Sequence, residues 1–178
     1  MKTPLIILFT IFALAISVMA QTKPGTPSAD VSSIDGILKA VYDVISGDAG
    51  QTRDWARFRS LFHKEARLIP TGKAGKSGGY NATVLTPDNY IARVEPVFAK
   101  QGFYEREKAR RVERFGSVAQ VFSTYESFHG PKDEKPFMRG INSFQLFYDG
   151  RRWWVMSIFW QAETAETQIP SEFLKNKS

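Results

Sequence analysis

Cysteine is absent from all 178 residues. That excludes disulfides, thiol chemistry and thiolate metal sites, so burial alone must hold the folded chain together. Histidine is nearly as scarce, with two copies, His63 and His129. There is no H-x-x-x-H pair and no cluster of carboxylates, so no metal site is expected. Ser123, Ser127 and Ser143 sit in no G-x-S-x-G turn, which argues against a serine hydrolase. Long apolar runs are missing too, except one at the start.

That run, Leu5 to Val18, follows the single charge of Lys2. Val18 and Ala20 are small residues placed for cleavage before Gln21, the pattern of a secretory signal peptide over residues 1–20. As an uncleaved anchor the run is short of the roughly 20 apolar residues of a span. The protein is therefore expected to be secreted or periplasmic, with no membrane attachment after cleavage. A flexible leader, 21–30, then precedes one domain over 31–163 and a C-terminal tail, 164–178.

The chain carries 24 Lys and Arg against 18 Asp and Glu, a net charge of +6. The two signs interleave, as in "FYEREKARRVERF", rather than forming a basic stripe. With export, this argues against a nucleic-acid partner. Aromatics are plentiful, with 14 Phe and 4 Trp, so a core or pocket rich in rings is expected.

"PTGKAGKSGG", residues 70–79, has the look of a phosphate loop. The motif G-x-x-x-x-G-K-[ST] requires glycine where Pro70 stands, and a helix must follow. "GGYNATV" reads as a strand instead. The stretch is read as a loop joining two short strands.

Apolar residues recur at helical spacing from Ile34 to Ile45, with Ser32 or Ser33 as cap. A second, shorter helix carries Trp55, Phe58, Leu61 and Phe62, capped by Thr52 or Asp54, with His63 at its end. "EARLIP" is a short strand candidate. A third helix starts at Thr86-Pro87, and Pro96 should kink or shorten it. From Phe103 the period becomes two. Strands are predicted over 103–115, 118–129, 137–148 and 151–162, with Gly116-Ser117 and Asp149-Gly150 as hairpin signals. Helices segregated from an antiparallel meander mean α+β.

This order resembles the nuclear-transport-factor-2-like superfamily, also called SnoaL-like or cystatin-like. "DWARFRSLFHKEARLIP" is similar to its second helix and first strand, and "TPDNYIARV" to its third helix. "YESF" and "RGINSFQLFYDGRRWWVMSIFWQ" are similar to its late strands. The resemblance covers about residues 31–163. It implies three N-terminal helices packed in a strongly curved, mainly antiparallel sheet, a conical half-barrel with a cavity. Members include polyketide cyclases, steroid isomerases, dehydratases, dioxygenase small subunits and transport factors without catalysis, so one fold hosts many functions. The outer sheet face of the family often makes a dimer.

Residue alternation agrees with a sheet covered on both sides. Trp153, Val155, Ser157, Phe159 and Gln161 are predicted to point one way, Trp154, Met156, Ile158 and Trp160 the other. The helices cover one face. A second subunit is the simplest cover for the other, giving a homodimer; "IPSEFL" folding back is the alternative.

Counting back from Gly116-Ser117 places Glu107 opposite Glu126, with Arg139 on the next strand. Glu126 and Arg139 are equally distant from the "GPKDEK" loop and are predicted to pair at the cavity or its rim. Tyr42, Tyr125, Asn142 and Trp160 complete the candidate ligand contacts. Asn142 and Gln145 lie on opposite faces unless Gly140 marks a bulge. Tyr42 could supply the tyrosine of the steroid isomerases, but their aspartate has no match here. No catalytic set and no cofactor emerges. The expected partner is an unknown small, partly apolar molecule held in the cone. The alternatives are a cofactor-free SnoaL-like isomerase, cyclase or dehydratase using acid–base groups in the cone, and a dimeric interaction module with a filled cone.

Overall fold

The computed structural model describes residues 28–75 and 78–175. The predicted signal peptide, most of the leader, and Lys76 and Ser77 of the glycine-rich loop lie outside the described residues. Each of the three α-helices among the described residues starts where a polar side chain satisfies a free backbone N–H. In α1 (Ile34–Ile45) Ser33 Oγ accepts from the Gly36 N–H at 2.9 Å. In α2 (Trp55–Leu61) Asp54 accepts from Arg57 at 2.8 Å. In α3 (Pro87–Phe98) Thr86 accepts from Asn89 at 3.1 Å, and Pro96 stands just before the helix ends.

The strands are β1 (Phe62–Lys73), β2 (Tyr80–Ala82), β3 (Tyr104–Phe115), β4 (Val118–Phe128), β5 (Met138–Tyr148) and β6 (Trp153–Ala162). They form one curved, unclosed sheet in the order β2-β1-β6-β5-β4-β3. Among the described residues only β1 and β6 pair in parallel; the other pairs are antiparallel. β1 is much longer than the short strand expected at "EARLIP". It begins as soon as α2 ends, so Phe62 and His63 belong to the strand and not to the helix. β1 and β2, on either side of the glycine-rich stretch, pair antiparallel, with Lys73 opposite Tyr80.

The helices lie against one face of the sheet. α1 buries Ile37, Leu38, Val41 and Ile45, and α2 buries Phe58 and Leu61. They pack with Val121, Tyr125, Phe144, Val155 and Ile158 of the sheet. Each such side chain contributes about 1.5–3 kcal/mol on burial.

Three irregularities decide which side chains share that inner face. In β3, pairing runs from Phe115 opposite Val118 to Ala109 opposite Thr124, then skips Lys108. Glu107 therefore faces Tyr125, and Arg106 faces Glu126. The predicted Glu107–Glu126 apposition fails because one bulged residue shifts the register by one. In β6 the pairing skips Met156. Trp153 and Val155 thus share the inner face with Ile158 and Trp160, and the simple alternation predicted for this strand breaks there. The third shift lies in β1, between Phe62 and Arg67. Gly140 marks no bulge, and Asn142 and Gln145 do lie on opposite faces, one buried and one exposed.

The C-terminal residues return to the outer face. A 3₁₀ turn at Ser171–Phe173 lies over β3 and β4. Thr124 Oγ1 donates to the Phe173 carbonyl at 2.5 Å, and the Phe173 ring sits 5.8 Å from Phe122 and beneath the Arg111 guanidinium. "IPSEFL" thus covers part of the outer face, while Phe115, Val118 and Phe159 stay exposed.

Candidate functional site

Between the helices and the concave sheet face lies a cavity of about 160 Å³. The cone is not filled by its own side chains. Every layer contributes a wall: Val41 from α1, Phe58 from α2, Tyr90 from α3, Phe144 from β5 and Trp160 from β6. The rings interlock, with Tyr90 stacked on Phe58 and set edge-on to Trp160.

Glu105 of β3 is the one charged residue type in this lining, and Asn142 and Tyr125 are its polar neighbours. Ser127 Oγ donates to Glu105 Oε2 at 3.1 Å, and Asn142 Nδ2 donates to Oε1 at 3.3 Å. Burial pushes the Glu105 carboxyl up to about 7, against the pull of those two donors. Among the described residues no lysine, arginine or histidine pairs with it. A carboxyl that changes charge near neutral pH inside an apolar cavity can anchor a ligand or move a proton.

The Asn142 amide also donates to Tyr42 Oη at 3.2 Å, and Tyr42 Oη bonds Ser123 Oγ at 2.6 Å. Ser123 in turn donates to Glu107 Oε1 at 2.5 Å, and Glu107 is ion-paired with Arg110. A continuous hydrogen-bonded chain thus runs from the Arg110–Glu107 pair to the cavity carboxyl. Burial, reinforced by the charge of Glu105, keeps the Tyr42 phenol neutral well above its ordinary range. Tyr125 is different. It is buried in the cavity wall and its hydroxyl has no partner. Gly140 makes room for it: a Cβ there would stand 2.5 Å from Tyr125 Oη.

Of the residues expected at the site, Tyr125, Asn142 and Trp160 line the cavity. Tyr42 stands behind the wall, one hydrogen bond from Asn142. Glu107 is on the inner face but is taken up by Arg110 and Ser123. Glu126 and Arg139 do face each other in register, as predicted, but on the outer face. Arg139 pairs with Glu163 and not Glu126, because the chain leaving β6 brings Glu163 alongside and lets two nitrogens reach its carboxylate. His63 lies beside Trp154, 6.1 Å between rings, away from the cavity.

Sequence reasoning missed the rest of the lining, and of those residues Glu105 is the only charged one. A signal was present. Glu105 shares its parity with Glu107, and Ser123-x-Tyr125-x-Ser127 puts small hydroxyls on the same buried face, where they can serve only inward-pointing acceptors.

Among solved structures, the chain is similar to an NTF2-like protein of unknown function from Pseudomonas putida KT2440. Identity is 16% and the TM-score 0.56, over 82% of this chain and 95% of that one. The chain has the NTF2-like fold. A second NTF2-like protein of unknown function, from Silicibacter pomeroyi DSS-3, aligns at 13% identity and TM-score 0.52 over 72% of this chain and 92% of that chain. A cystatin-like protein of unknown function from Nostoc punctiforme PCC 73102 aligns at 7% identity and TM-score 0.55, over 74% and 90%. At such identities the likeness is one of NTF2-like architecture. No family model and no curated protein matches the sequence.

Proposed function

We propose that this protein binds a small, mostly apolar molecule in its cone. The observation that carries the reading is the open cavity itself, with ring-lined walls and one buried, unpaired carboxyl. Ligand sites are concave, mainly apolar, and oriented by a few polar groups. The same reading takes residues 1–20 as a signal peptide and the mature protein as secreted or periplasmic. It also takes the outer face left bare around Phe115, Val118 and Phe159 as a homodimer contact.

Native mass spectrometry of protein purified from its own host tests all three. It should show a mass beginning at Gln21, a dimer, and a retained small molecule. Val41→Phe, which fills the cavity from α1, should lose that molecule and keep the dimer. A ligand that stays bound in the filled variant would place binding elsewhere and end the reading.

One observation favours a second reading, a cofactor-free acid–base enzyme. The Glu105 carboxyl gives and takes its proton near pH 7, where a general base works best. A carbon acid retained from the host would then exchange deuterium with solvent in the presence of the protein. Glu105→Gln should abolish the exchange; exchange at an unchanged rate would refute this role.

A further inference from the structure

Resting on the reading that the cone takes a small, mostly apolar molecule, we infer that its ligand class is a small organic amine, bound as the ammonium ion against Glu105 with its body against the rings. Four features of the cavity carry this.

The first is the state of the carboxylate. Both oxygens of Glu105 already accept a protein hydrogen bond, one from Ser127 and one from Asn142. Such donors favour the ionised form. What the site lacks is a cation, and a buried charge without one is costly. An ionised carboxylate has about four acceptor positions, so two remain for a ligand.

The second is the wall. Phe58, Tyr90, Phe103, Tyr125, Phe144 and Trp160 surround the space. Ring faces are electron-rich and attract ammonium groups, more so when water is excluded.

The third is what the site cannot offer. Both amide hydrogens of Asn142 are used, on Tyr42 and on Glu105. Among the described residues no lysine, arginine or histidine lines the cavity. An anionic ligand would meet a carboxylate and no donor but a phenol. The Tyr125 hydroxyl, buried and unpartnered, can accept a further N–H from an ammonium group.

The fourth is size. An apolar cavity of about 150 Å³ holds one benzene ring, and this one is about 160 Å³. The ligand is therefore a single ring or a short alkyl chain bearing its amine.

Proton linkage supplies a test with a sign. Tyr42 of α1, Tyr90 of α3 and Tyr125 of β4 face Glu105, and burial pushes all three phenols up, so they stay neutral. On its own strand, Glu107 is held by Arg110. α2, β1, β5 and β6 present uncharged side chains. Between pH 5.5 and 8 only Glu105 among the cavity groups changes charge, passing from mostly neutral to mostly ionised around 7. An ammonium ligand needs the ionised form. Its affinity should rise roughly thirty-fold over that range, following the competent fraction. A neutral ligand that accepts a proton from the carboxyl would show the reverse.

The experiment is calorimetric titration with benzylamine, benzyl alcohol and phenylacetate at pH 5.5 and pH 8. Benzylamine should bind best at pH 8, at least about tenfold tighter than benzyl alcohol, a margin of about 1.4 kcal/mol, and weaken strongly at pH 5.5. Phenylacetate should not bind. Glu105→Gln should lose the preference for benzylamine while keeping benzyl alcohol. The pH profile of the unaltered protein carries the same test if that variant fails to fold. Benzyl alcohol or phenylacetate binding as tightly as the amine, or affinity for the amine falling as pH rises, overturns the amine assignment and leaves the cone a binding site. Failure of all three probes overturns both.

Discussion

Glu105 and Glu163 lie at the two faces of one sheet and meet opposite environments. Glu105 is enclosed by rings, receives neutral donors, and has its carboxyl raised by burial. Glu163, just past β6, is gripped by Arg139 and by the Ile169 N–H, and the arginine holds its carboxyl below the ordinary range. The same side chain thus changes charge around pH 7 on one face and is a fixed anion on the other. The difference is whether a cation came with the fold. At Glu163 the chain supplied its own, Arg139. On the inner face Arg110 is taken up by Glu107 and no cation reaches Glu105.

The sharpest way to break this contrast is to titrate it. The folded Glu105 protonates around 7 and the unfolded one at its ordinary 4.5. Below 4.5 both states hold the proton and the group costs nothing. From there to about 7 only the folded state keeps it, so stability falls as pH rises. Above 7 the loss is complete, about 3 kcal/mol at about 1.4 kcal/mol per unit. Urea unfolding of Glu105→Gln should therefore gain about 3 kcal/mol on the parent protein between pH 4 and pH 8. Parallel pH profiles would show that the carboxyl is not held neutral by burial.

Gly140→Ala comes next. Its methyl would stand 2.3 Å from the Gln161 carbonyl and 2.5 Å from Tyr125 Oη. Overpacking of this kind costs about 1–3 kcal/mol. Adding Tyr125→Phe should recover part of the loss, since the hydroxyl is one of three clashing atoms; the Tyr125 ring carbon at 2.7 Å and the Gln161 carbonyl remain. A double variant no more stable than Gly140→Ala alone would put the strain in the strand pairing.

Two tyrosines refine the inner face. Tyr42→Phe removes the link between Ser123 and Asn142 and should cost about 1–2 kcal/mol by leaving buried groups unpaired. Tyr125→Phe removes a hydroxyl that has no partner, so thermal unfolding should show no loss or a small gain. Equal costs at both positions would mean that the Tyr125 hydroxyl is satisfied in solution. The smallest effect belongs to the outer face. The Arg139 side chain is 39% exposed, so Arg139→Ala should cost about 0–1 kcal/mol. A loss near 3 kcal/mol would make the outer pair a buried one and erase the contrast between the faces.

Much of the architecture was legible in the chain. The caps at Ser33, Asp54 and Thr86, the apolar period of α1 and the Gly116-Ser117 and Asp149-Gly150 hairpins all act through near neighbours, and each stands where residue chemistry placed it. Tyr125, Asn142 and Trp160 were legible as candidate contacts for a related reason: polar or ring-bearing residues in strongly apolar strands must find an interior use. The length of β1 was less legible, because "FHKEARLIP" continues helical spacing from α2 into the strand and gives no clear break.

By itself, then, the sequence determined the order of elements, their class and the register next to Gly116-Ser117, because those depend on propensity, capping and turn geometry within a few residues; at Asp149-Gly150 the connection runs on to Arg152 and Tyr148 pairs with Trp153. Only the tertiary structure decided the site. One bulge at Lys108 and another at Met156 reset the parity of β3 and β6, and a bulge arises from how two strands twist and pack together. The same holds for the partner of Arg139. Glu126 is its register neighbour, yet Glu163 takes the guanidinium, since an ion pair follows distance in space and not position along the ladder. Glu105 became the cavity carboxyl on the same terms: its surroundings come from helices and strands scattered over the whole domain, and burial by distant segments is what sets its charge.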